Sequence, residues 1–391
     1  MSYSKNKSNK PSVIAILCCC ILGISCSEVM SPEAVVKLNA VATANAKYCP
    51  EDSADIKLVL TNIQLKREQN IPLMYRGYNN IEGPVWRDGA LYYSNMGSHP
   101  PDKNDFVLTN QTSIWRLTLG QEPQLWMADT EAGTNGLALD SQGNLLAARQ
   151  LDGSLVSIDW QSKKITAIAT SYNNRRFNSP NDLTVTHNNT IYFTDPNWNI
   201  PSNIDPEDTQ GGGQPGSMEP GQRIYRVTSD GTVNATAVTD LVPALSDKPN
   251  GIILSLDQQQ LLVGGLRGLW VFDLTAGEVS NPQQILDTPI DGLGKDCSGN
   301  IYITTTVKLD TRTDGQVVLI IDKNHRVIGQ LHVEGIHIVT NIAFGGDDRK
   351  TLIVTGLTDP RDGDRLRQCG DSACLKAGIY TTRLNVPGFP F

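Results

Sequence analysis

Beyond its first 30 residues the sequence has no apolar run long enough to span a membrane, and it is poor in basic residues. A spanning helix needs about 20 consecutive apolar residues, so none is predicted in the rest of the chain. The 33 Lys and Arg residues are outnumbered by 41 Asp and Glu residues, which gives a net charge of −8. Because nucleic-acid binding relies on clustered basic residues, no nucleic-acid partner is predicted.

Several signatures of covalent and phosphate chemistry are also missing. The sequence contains no Gly-x-Ser-x-Gly elbow and no Gly-rich phosphate loop followed by Lys. Its five His residues have no spacing typical of a zinc site or a catalytic triad. No segment shows a sustained helical period with capping residues, which argues against helical repeats and Rossmann-type folds. Serine nucleophiles, nucleotide binding and histidine-rich metal sites are therefore disfavoured.

Residues 1–25 have the pattern of an export signal. Three lysines form a charged end in front of the apolar stretch Val13–Ile24. Cys26 follows closely, as at a bacterial lipoprotein cleavage site, although Gly23 stands where such sites usually have Leu. Lipidation of Cys26 and ordinary cleavage both stay open. Either outcome predicts export, to the periplasm or to a lipid anchor on the bacterial envelope, and a membrane partner only through that anchor.

The remaining chain divides into a tether and one large domain. Residues 26–54 are rich in Ser, Ala, Asn and Val and are predicted to form the tether, whereas residues 55–391 are predicted to form a single domain. In an oxidising compartment, the Cys369 and Cys374 pair in a polar loop predicts a local disulfide. Whether Cys49 pairs with Cys297 is left open.

Six segments repeat one pattern, in which a polar residue precedes an alternating strand, a polar turn and a second apolar strand. They lie about 40 to 70 residues apart and begin at Glu82, Asn135, Asn181, Asn250, Asp291 and Asn341. Further strand-like sequence follows, which gives about four strands per unit. Repeats of this length with strand chemistry are typical of propeller blades. The predicted fold is all-β, a six-bladed β-propeller, with Asp55–Asn62 as the strand that closes the ring.

The polar residue at the start of each unit has two interpretations. Asn-Gly and Asp-Gly pairs are common turn formers, so tight turns are one explanation of Asn135, Asn250 and Asp291. The other is that residues at one phase of the repeat converge on the propeller axis, where Glu82, Asn181, Asn250 and Asp291 would supply four oxygens. An all-oxygen set suits a hard divalent cation, Ca²⁺ most naturally, and suits Zn²⁺ poorly.

At these residues the chain resembles the SMP-30/gluconolactonase/LRE-like family of six-bladed propellers. The similar text is EGPVW from Glu82, NSPND from Asn178, IYFTDP from Ile191, PNG from Pro249, DG at Asp291 and TNIAFGG from Thr340. The resemblance implies a lactone hydrolase with one divalent cation on the axis. It implies that Glu82, Asn250 and Asp291 are metal ligands and that Asn181 is a fourth ligand or a substrate contact. It also makes Asp291 the candidate general base.

The resemblance extends to the substrate and the ion. Asn135 and Asn181 are expected to hydrogen-bond the ring hydroxyls of a sugar lactone, and Arg149 either faces the substrate or forms a surface ion pair. Ser179 stands where some members have a substrate-contacting Arg, so their sugar preference does not carry over. Besides Ca²⁺, the candidate ions are Zn²⁺, Mn²⁺, Mg²⁺ and Fe²⁺.

The function predicted from these observations is metal-dependent hydrolysis of a sugar lactone to the aldonic acid, as in gluconolactonases. The cation would polarise the lactone carbonyl, and Asp291 would orient or deprotonate the attacking water. Two alternatives are kept. One is hydrolysis of other esters or organophosphates at the same metal, and the other is an exported propeller that binds a carbohydrate or a protein without catalysis.

Overall fold

The computed structural model describes most of the chain after residue 47. The described residues are 41, 45–46, 48–50, 52–60, 65–70, 78–98, 108–130, 132–198, 221–308, 314–333, 335–358, 368–369, 372–373 and 377–390. The predictions of an export signal, of lipidation at Cys26 and of a disulfide to Cys374 fall outside these residues. Tyr48–Phe391 form one compact unit, distinct from Met1–Lys47. Among the described helices, none has the length and apolar character required to cross a membrane.

The described residues form six four-stranded antiparallel sheets, arranged as the blades of a β-propeller. Blade 1 contains β2 (Tyr78–Arg87), β3 (Ala90–Ser98), β4 (Leu108–Leu117) and β5 (Gln124–Thr130). Blade 2 contains β6 (Thr134–Leu139), β7 (Leu145–Arg149), β8 (Ser154–Ile158) and β9 (Ile165–Ala169). Blade 3 contains β12 (Leu183–Val185), β13 (Ile191–Asp195), β14 (Arg223–Val227) and β15 (Val233–Ala235).

The second half of the ring repeats this order. Blade 4 contains β16 (Pro249–Leu254), β17 (Gln260–Gly265), β18 (Gly268–Thr275) and β19 (Glu278–Leu286). Blade 5 contains β20 (Ile290–Lys295), β21 (Ile301–Lys308), β22 (Asp314–Ile321) and β23 (Val327–His332). Blade 6 contains β24 (Ile336–Gly345), β25 (Thr351–Thr358), β28 (Ala377–Arg383) and β1 (Lys66–Asn70).

Short elements lie between the blade strands and before them. Two hairpins consist of β10 (Ser171–Tyr172) with β11 (Arg175–Arg176), between blades 2 and 3, and of β26 (Gln368–Cys369) with β27 (Ser372–Ala373), within blade 6. Among the described residues after position 47, the helices are α1 (Val238–Leu241) and two 3₁₀ turns, at Ser53–Asp55 and Pro243–Ser246. The prediction of an all-β, six-bladed propeller is confirmed.

The ring closes through the N-terminal strand β1, which pairs with β28 on the outside of blade 6. The predicted closing strand, Asp55–Asn62, was wrong, because its described residues, 55–60, form no strand and bind other segments. The Val59 N–H donates to Asn385 Oδ1 at 2.9 Å, and Asn385 Nδ2 donates to the Lys57 carbonyl at 2.9 Å. Ser298 Oγ, beside blade 5, donates to the Ile56 carbonyl at 3.0 Å. The strand that closes the ring comes later in the chain.

Apolar side chains fill the spaces between neighbouring blades. Within the described residues, six buried clusters alternate with the six sheets around the ring. Between blades 2 and 3, for example, Phe177, Phe193 and Tyr225 pack with ring centroids 5.0 to 5.3 Å apart. Because burying apolar area stabilises the fold and each sheet is covered on both faces, every blade depends on its two neighbours.

The first strands are joined around the axis by hydrogen bonds between blades. Ser94 Oγ donates to the Asn135 carbonyl at 2.6 Å, and the Gly136 N–H donates to the Asn181 carbonyl at 2.8 Å. Equivalent bonds follow around the ring, from Thr194 Oγ1 to the Asn250 carbonyl, from Thr304 Oγ1 to the Thr340 carbonyl and from Thr340 Oγ1 to the Ile81 carbonyl. Buried carbonyl groups at the axis thereby find donors in the adjacent blade.

The C-terminal segment Asn385–Pro390 lies across the far end of the axial channel. The Phe389 N–H donates to the Lys295 carbonyl at 2.9 Å, and Phe389 and Pro390 line the axial cavity. The buried Lys295 Nζ donates to the Leu254 carbonyl at 2.9 Å and lies 4.8 Å from the Phe389 ring centroid. Burial lowers the pKa of Lys295 to about 7. We call this end of the channel the floor.

A disulfide between Cys49 and Cys297 lies at the floor, which settles the pairing that the sequence left open. The Cys297 N–H donates to the Pro387 carbonyl at 2.9 Å, and the ring of Tyr48 stands edge-on to that of Phe389, 5.8 Å away. The disulfide therefore ties the residues before the propeller to blade 5, next to the segment that forms the floor.

Loss of this disulfide is expected to destabilise the propeller. Replacing both residues (C49S with C297S) should lower the free energy of unfolding by about 2–4 kcal/mol, because the cross-link joins distant parts of the chain. Urea denaturation of the double variant and of wild-type protein measures the difference. Treatment with a reductant should shift the midpoint of the wild-type protein further than that of the variant, which lacks the Cys49–Cys297 bond. Equal midpoints for both oxidised proteins would contradict the expectation.

Candidate functional site

The first strand of a blade is interrupted by a bulge at the end opposite the floor, which we call the mouth. The register shifts in blades 1, 2, 4, 5 and 6 lie between Glu82 and Val85, Thr134 and Leu137, Pro249 and Ile252, Ile290 and Leu293, and Val339 and Ile342. A bulge re-aims side chains at the edge of a sheet. The predicted site residues Asn135, Asn250 and Asp291 all lie in these bulges, inside strands β6, β16 and β20. The structure therefore favours the axial interpretation over tight turns.

Asp291 and Asn250 contact each other across the boundary between blades 4 and 5. A side-chain hydrogen bond joins them. Asp291 keeps part of its surface exposed toward the mouth, although protein surrounds its carboxylate. Removal from water, together with the negative charge of Asp182, raises the pKa of Asp291 to about 8, and the Asn250 hydrogen bond opposes this shift.

Glu82 is 6% exposed, and the negative charge of Asp291 acts on its carboxylate. Its Oε2 accepts hydrogen bonds from Asn341 Nδ2 at 3.3 Å and from the Gly83 N–H at 3.4 Å. Burial raises the pKa of Glu82 well above its usual range, and the charges of Asp291 and Asp182 raise it further. The structure therefore brings together three of the four predicted metal ligands, Glu82, Asn250 and Asp291.

Asp182 is a third carboxylate at the mouth, and sequence reasoning missed it. Its Oδ1 accepts the Leu183 N–H at 2.9 Å, and burial raises its pKa to about 7. The sequence did contain a signal. The second, fourth and fifth repeats begin with Asn-Gly or Asp-Gly. The third repeat begins with Asn181-Asp182 and so has a carboxylate where those three repeats have no side chain. The prediction used only the first residue of each pair.

No ion pair joins a basic side chain to these three carboxylates in the part of the chain that the structure describes. Burial instead raises the pKa values of all three, and repulsion by neighbouring carboxylates raises those of Glu82 and Asp291 further. Buried carboxylates without a cationic partner either take up protons or bind a cation. The arrangement therefore has the electrostatics of a cation site.

The donor set determines which ion would fit. Within the described residues, no group of three or more His, Cys, Asp and Glu side chains has the geometry of a metal site. A cation at the mouth would therefore use amide oxygens as well, and the Asn250 amide lies against the Asp291 carboxylate. Carboxylate and amide oxygens suit Ca²⁺ or Mg²⁺ better than Zn²⁺.

Asn135 and Asn181, the predicted substrate contacts, are almost fully buried at the mouth. The structure shows their backbones joining blades. The Asn135 carbonyl accepts the Ser94 hydroxyl, and the Asn181 carbonyl accepts the Gly136 N–H. The Asn181 N–H donates to the Thr194 carbonyl at 2.9 Å. The roles of the two amide side chains stay predictions.

Arg149 ends strand β7, and its Nη1 forms an ion pair with Asp152 Oδ2 at 2.9 Å. Of the two interpretations from sequence, the ion pair is present in the structure. Contact between Arg149 and a substrate stays a prediction.

Below the polar residues, the axial cavity is lined mainly by apolar side chains and has a volume of about 70 Å³. Asp182 and Asn341 lie at its mouth end, and Lys295 and Phe389 lie at its floor end. Since the C-terminal segment covers the floor, a substrate would approach the carboxylates from the mouth. The mainly apolar lining below the site also strengthens the electrostatic interactions of the polar residues at its edge.

The sequence matches known proteins over most of the propeller. The family model described as the SMP-30/gluconolactonase/LRE-like region matches residues 81–358. A gluconolactonase of Zymomonas mobilis is 26% identical over 240 residues, 56% of this chain and 63% of that enzyme, so the match spans less than two thirds of its length. A pentonolactonase of Haloferax volcanii is 24% identical over 324 residues, 78% of this chain and 90% of that enzyme.

Solved structures share the fold. A gluconolactonase of Xanthomonas campestris superposes with a TM-score of 0.58 at 20% identity, covering 83% of this chain and 91% of that one. The calcium-binding protein regucalcin of Agrobacterium tumefaciens superposes with a TM-score of 0.51 at 17% identity, covering 82% and 96%. Sequence motifs, blade architecture and the family match agree, and the chain belongs to the SMP-30/gluconolactonase/LRE-like family.

Proposed function

We propose that the protein is a lactonase, a hydrolase that uses a divalent cation to open a sugar lactone to the aldonic acid. The observation that carries this proposal is the group of three carboxylates at the mouth of the channel, of which Glu82 and Asp182 are buried and Asp291 is partly exposed, held without a basic partner among the described residues. Family membership supports the same reaction class, since two relatives are named gluconolactonase and pentonolactonase.

Glu82, Asn250 and Asp291 would hold the cation, with Asn181 as a further candidate ligand. Their oxygen donors favour Ca²⁺, and the similar Agrobacterium protein is described as calcium-binding. When bound, a divalent cation polarises a carbonyl oxygen and stabilises the negative charge that develops on it. The ligands come from blades 1, 3, 4 and 5, so ring closure brings them together.

The other polar groups would act on the substrate and on the proton. Asp291 would accept a proton from the attacking water, with its carboxylate oriented by the hydrogen bond to Asn250. Asn135 and Asn181 would hydrogen-bond the ring hydroxyls of the sugar, and Arg149 would face its outer side. The covered floor would keep bulk water from reaching the site through the channel.

The direct test is proton release from a panel of lactones, measured after chelation and after single cations are restored. The panel contains six-carbon and five-carbon aldonolactones, an acyl lactone and a phosphotriester. We expect hydrolysis of the aldonolactones above the spontaneous rate with Ca²⁺ restored. Turnover of only the acyl lactone or the phosphotriester would favour the broader esterase alternative. Binding of a sugar without any turnover would favour the non-catalytic propeller.

Removal of either carboxylate ligand should abolish the activity. E82A and D291A are each expected to lower kcat/KM at least 100-fold. The loss of a ligand weakens binding of the cation, and the cation is the group that polarises the carbonyl. Circular dichroism should show an unchanged fold. E122Q, which changes an exposed acidic residue in the β4–β5 connection, is the matched control and should keep wild-type activity. Retained lactonase activity in E82A or D291A would overturn the ligand assignment.

Stabilisation by Ca²⁺ should increase with pH. The pKa values of Asp182 and Asp291 are raised to about 7 and about 8 in the folded protein, so without cation the folded state binds more protons than the unfolded state. Its stability should therefore fall as the pH rises from about 4 to about 8. Protons also compete with the cation for the carboxylates.

Thermal unfolding with Ca²⁺ or with a chelator, measured at pH 5 and at pH 8, checks this expectation. The Ca²⁺-induced rise in Tm should be larger at pH 8, and it should vanish in a double variant carrying E82Q and D291N. A Ca²⁺ shift that is equal at both pH values would contradict the expectation.

A further inference from the structure

Two polar side chains occupy axial positions where other blades have glycine. The N–H groups of Asp182, Gly292 and Asn341 each donate to the hydroxyl of a threonine on the second strand of their own blade, so the three residues are structurally equivalent. Glycine is required in blades 4 and 5 because a Cβ atom at Gly251 would collide with the Asp291 carbonyl and one at Gly292 with Asn341. Of blades 3 to 6, only blades 3 and 6 carry a polar side chain at this position. These two blades face each other across the ring.

Asn341 bridges two of the buried carboxylates. Its Oδ1 accepts the Ile342 N–H at 2.8 Å, which fixes the amide with its NH₂ group toward the axis. Its Nδ2 donates to Glu82 Oε2 at 3.3 Å. Its side chain also lies near the Asp182 carboxyl and lowers the pKa of that group. One oxygen of Glu82 is therefore held by Asn341, which leaves the other carboxylate oxygen for a further partner.

Asp182 is fixed just as firmly from the opposite side of the ring. Its carboxylate accepts the Leu183 N–H and the Ile252 N–H, and the Asn341 amide lies near it. It lines the axial cavity, and its charge acts on both Glu82 and Asp291. The carboxylates and the amide thus form one network that joins blades 1, 3, 4 and 6 across the axis.

Without a bound cation, this network lowers the stability of the folded protein. A third carboxylate beside two others in a buried site adds repulsion and desolvation, whereas glycine at the same position in blade 5 adds neither. A purely structural role does not require the charge at Asp182. A bound divalent cation would offset it, because three negative charges attract the ion more strongly than two.

We propose that Asp182 and Asn341 form a positioning pair for the cation site. Asn341 holds one oxygen of Glu82 so that the other faces the cation, and Asp182 supplies a third negative charge on the cavity side of the ligands. Neither residue is assigned as a ligand. This inference rests on the proposed function, since it presupposes that a cation binds at the mouth.

The test measures Ca²⁺ affinity by isothermal titration calorimetry and Tm in the presence of a chelator, for D182N and N341A. We expect each variant to bind Ca²⁺ 10- to 100-fold more weakly, the usual effect of losing a group that orients a ligand. D182N should at the same time have a higher Tm than wild-type protein in chelator, because it removes a buried charge and keeps the side-chain volume. Opposite changes in affinity and stability distinguish positioning from support of the fold.

T184V is the matched control. Thr184 lines the same cavity two residues after Asp182, and its Oγ1 accepts the Leu254 N–H at 3.4 Å. This variant should change Ca²⁺ affinity less than twofold, whatever it does to the Tm. Should N341A fail to fold, D182N decides the question, since Asn is nearly isosteric with Asp.

Two results would overturn the inference. If wild-type protein binds Ca²⁺ and D182N binds it equally well, or if D182N and T184V lose affinity and stability in parallel, the pair has no positioning role while the proposed function stands. If wild-type protein binds none of Ca²⁺, Mg²⁺, Mn²⁺, Zn²⁺ and Fe²⁺, the cation site falls and the positioning pair falls with it.

Discussion

Neighbouring first strands approach so closely at the axis that a Cβ atom at Gly251 would collide with the carbonyl oxygen of Asp291. This close approach lets a hydroxyl on one blade reach a carbonyl of the next, as from Thr194 to Asn250 and from Thr304 to Thr340. It also leaves room for few side chains. Those that reach the axis are therefore held by backbone groups, and their geometry is fixed before any ligand arrives.

The polar residues at the mouth are largely removed from water, with Glu82 6% and Asp182 8% exposed. A low local dielectric makes the repulsion between Glu82, Asp182 and Asp291 large, and the same condition would make their attraction for a cation large. Ring closure concentrates this charge, because the residues come from three different blades. The covered floor and the apolar cavity preserve the low dielectric from below.

Most of the architecture could be predicted from sequence because each blade repeats the same strand and turn chemistry. The candidate ligands followed from the phase of that repeat, and Glu82, Asn250 and Asp291 do meet. Asp182 was missed because departures from the Asn-Gly pattern, at Asp182 and at Ile342, carry no meaning until the axis is known to exclude side chains at that position. The closing strand was misplaced because the pairing of Asp55–Asn62 depends on Asn385, more than 300 residues away.

The Cys49–Cys297 pairing could not be predicted for the same reason, since it depends on how the residues before the propeller meet blade 5. Sequence patterns describe neighbours along the chain well. They describe poorly the contacts between segments that have no repeat of their own, such as the C-terminal segment.

The outer strand of blade 6 is β1, and the segment Asn385–Pro390 covers the channel, so segments from before and after the other blades complete the propeller. During synthesis, strand β1 emerges before every other blade strand and must wait for its partner β28, which follows the other five blades. The earlier blades can form in sequence as the ribosome proceeds, but each will leave an apolar face uncovered until the next one is made. The ring of this protein can therefore close only after all six blades have been synthesised.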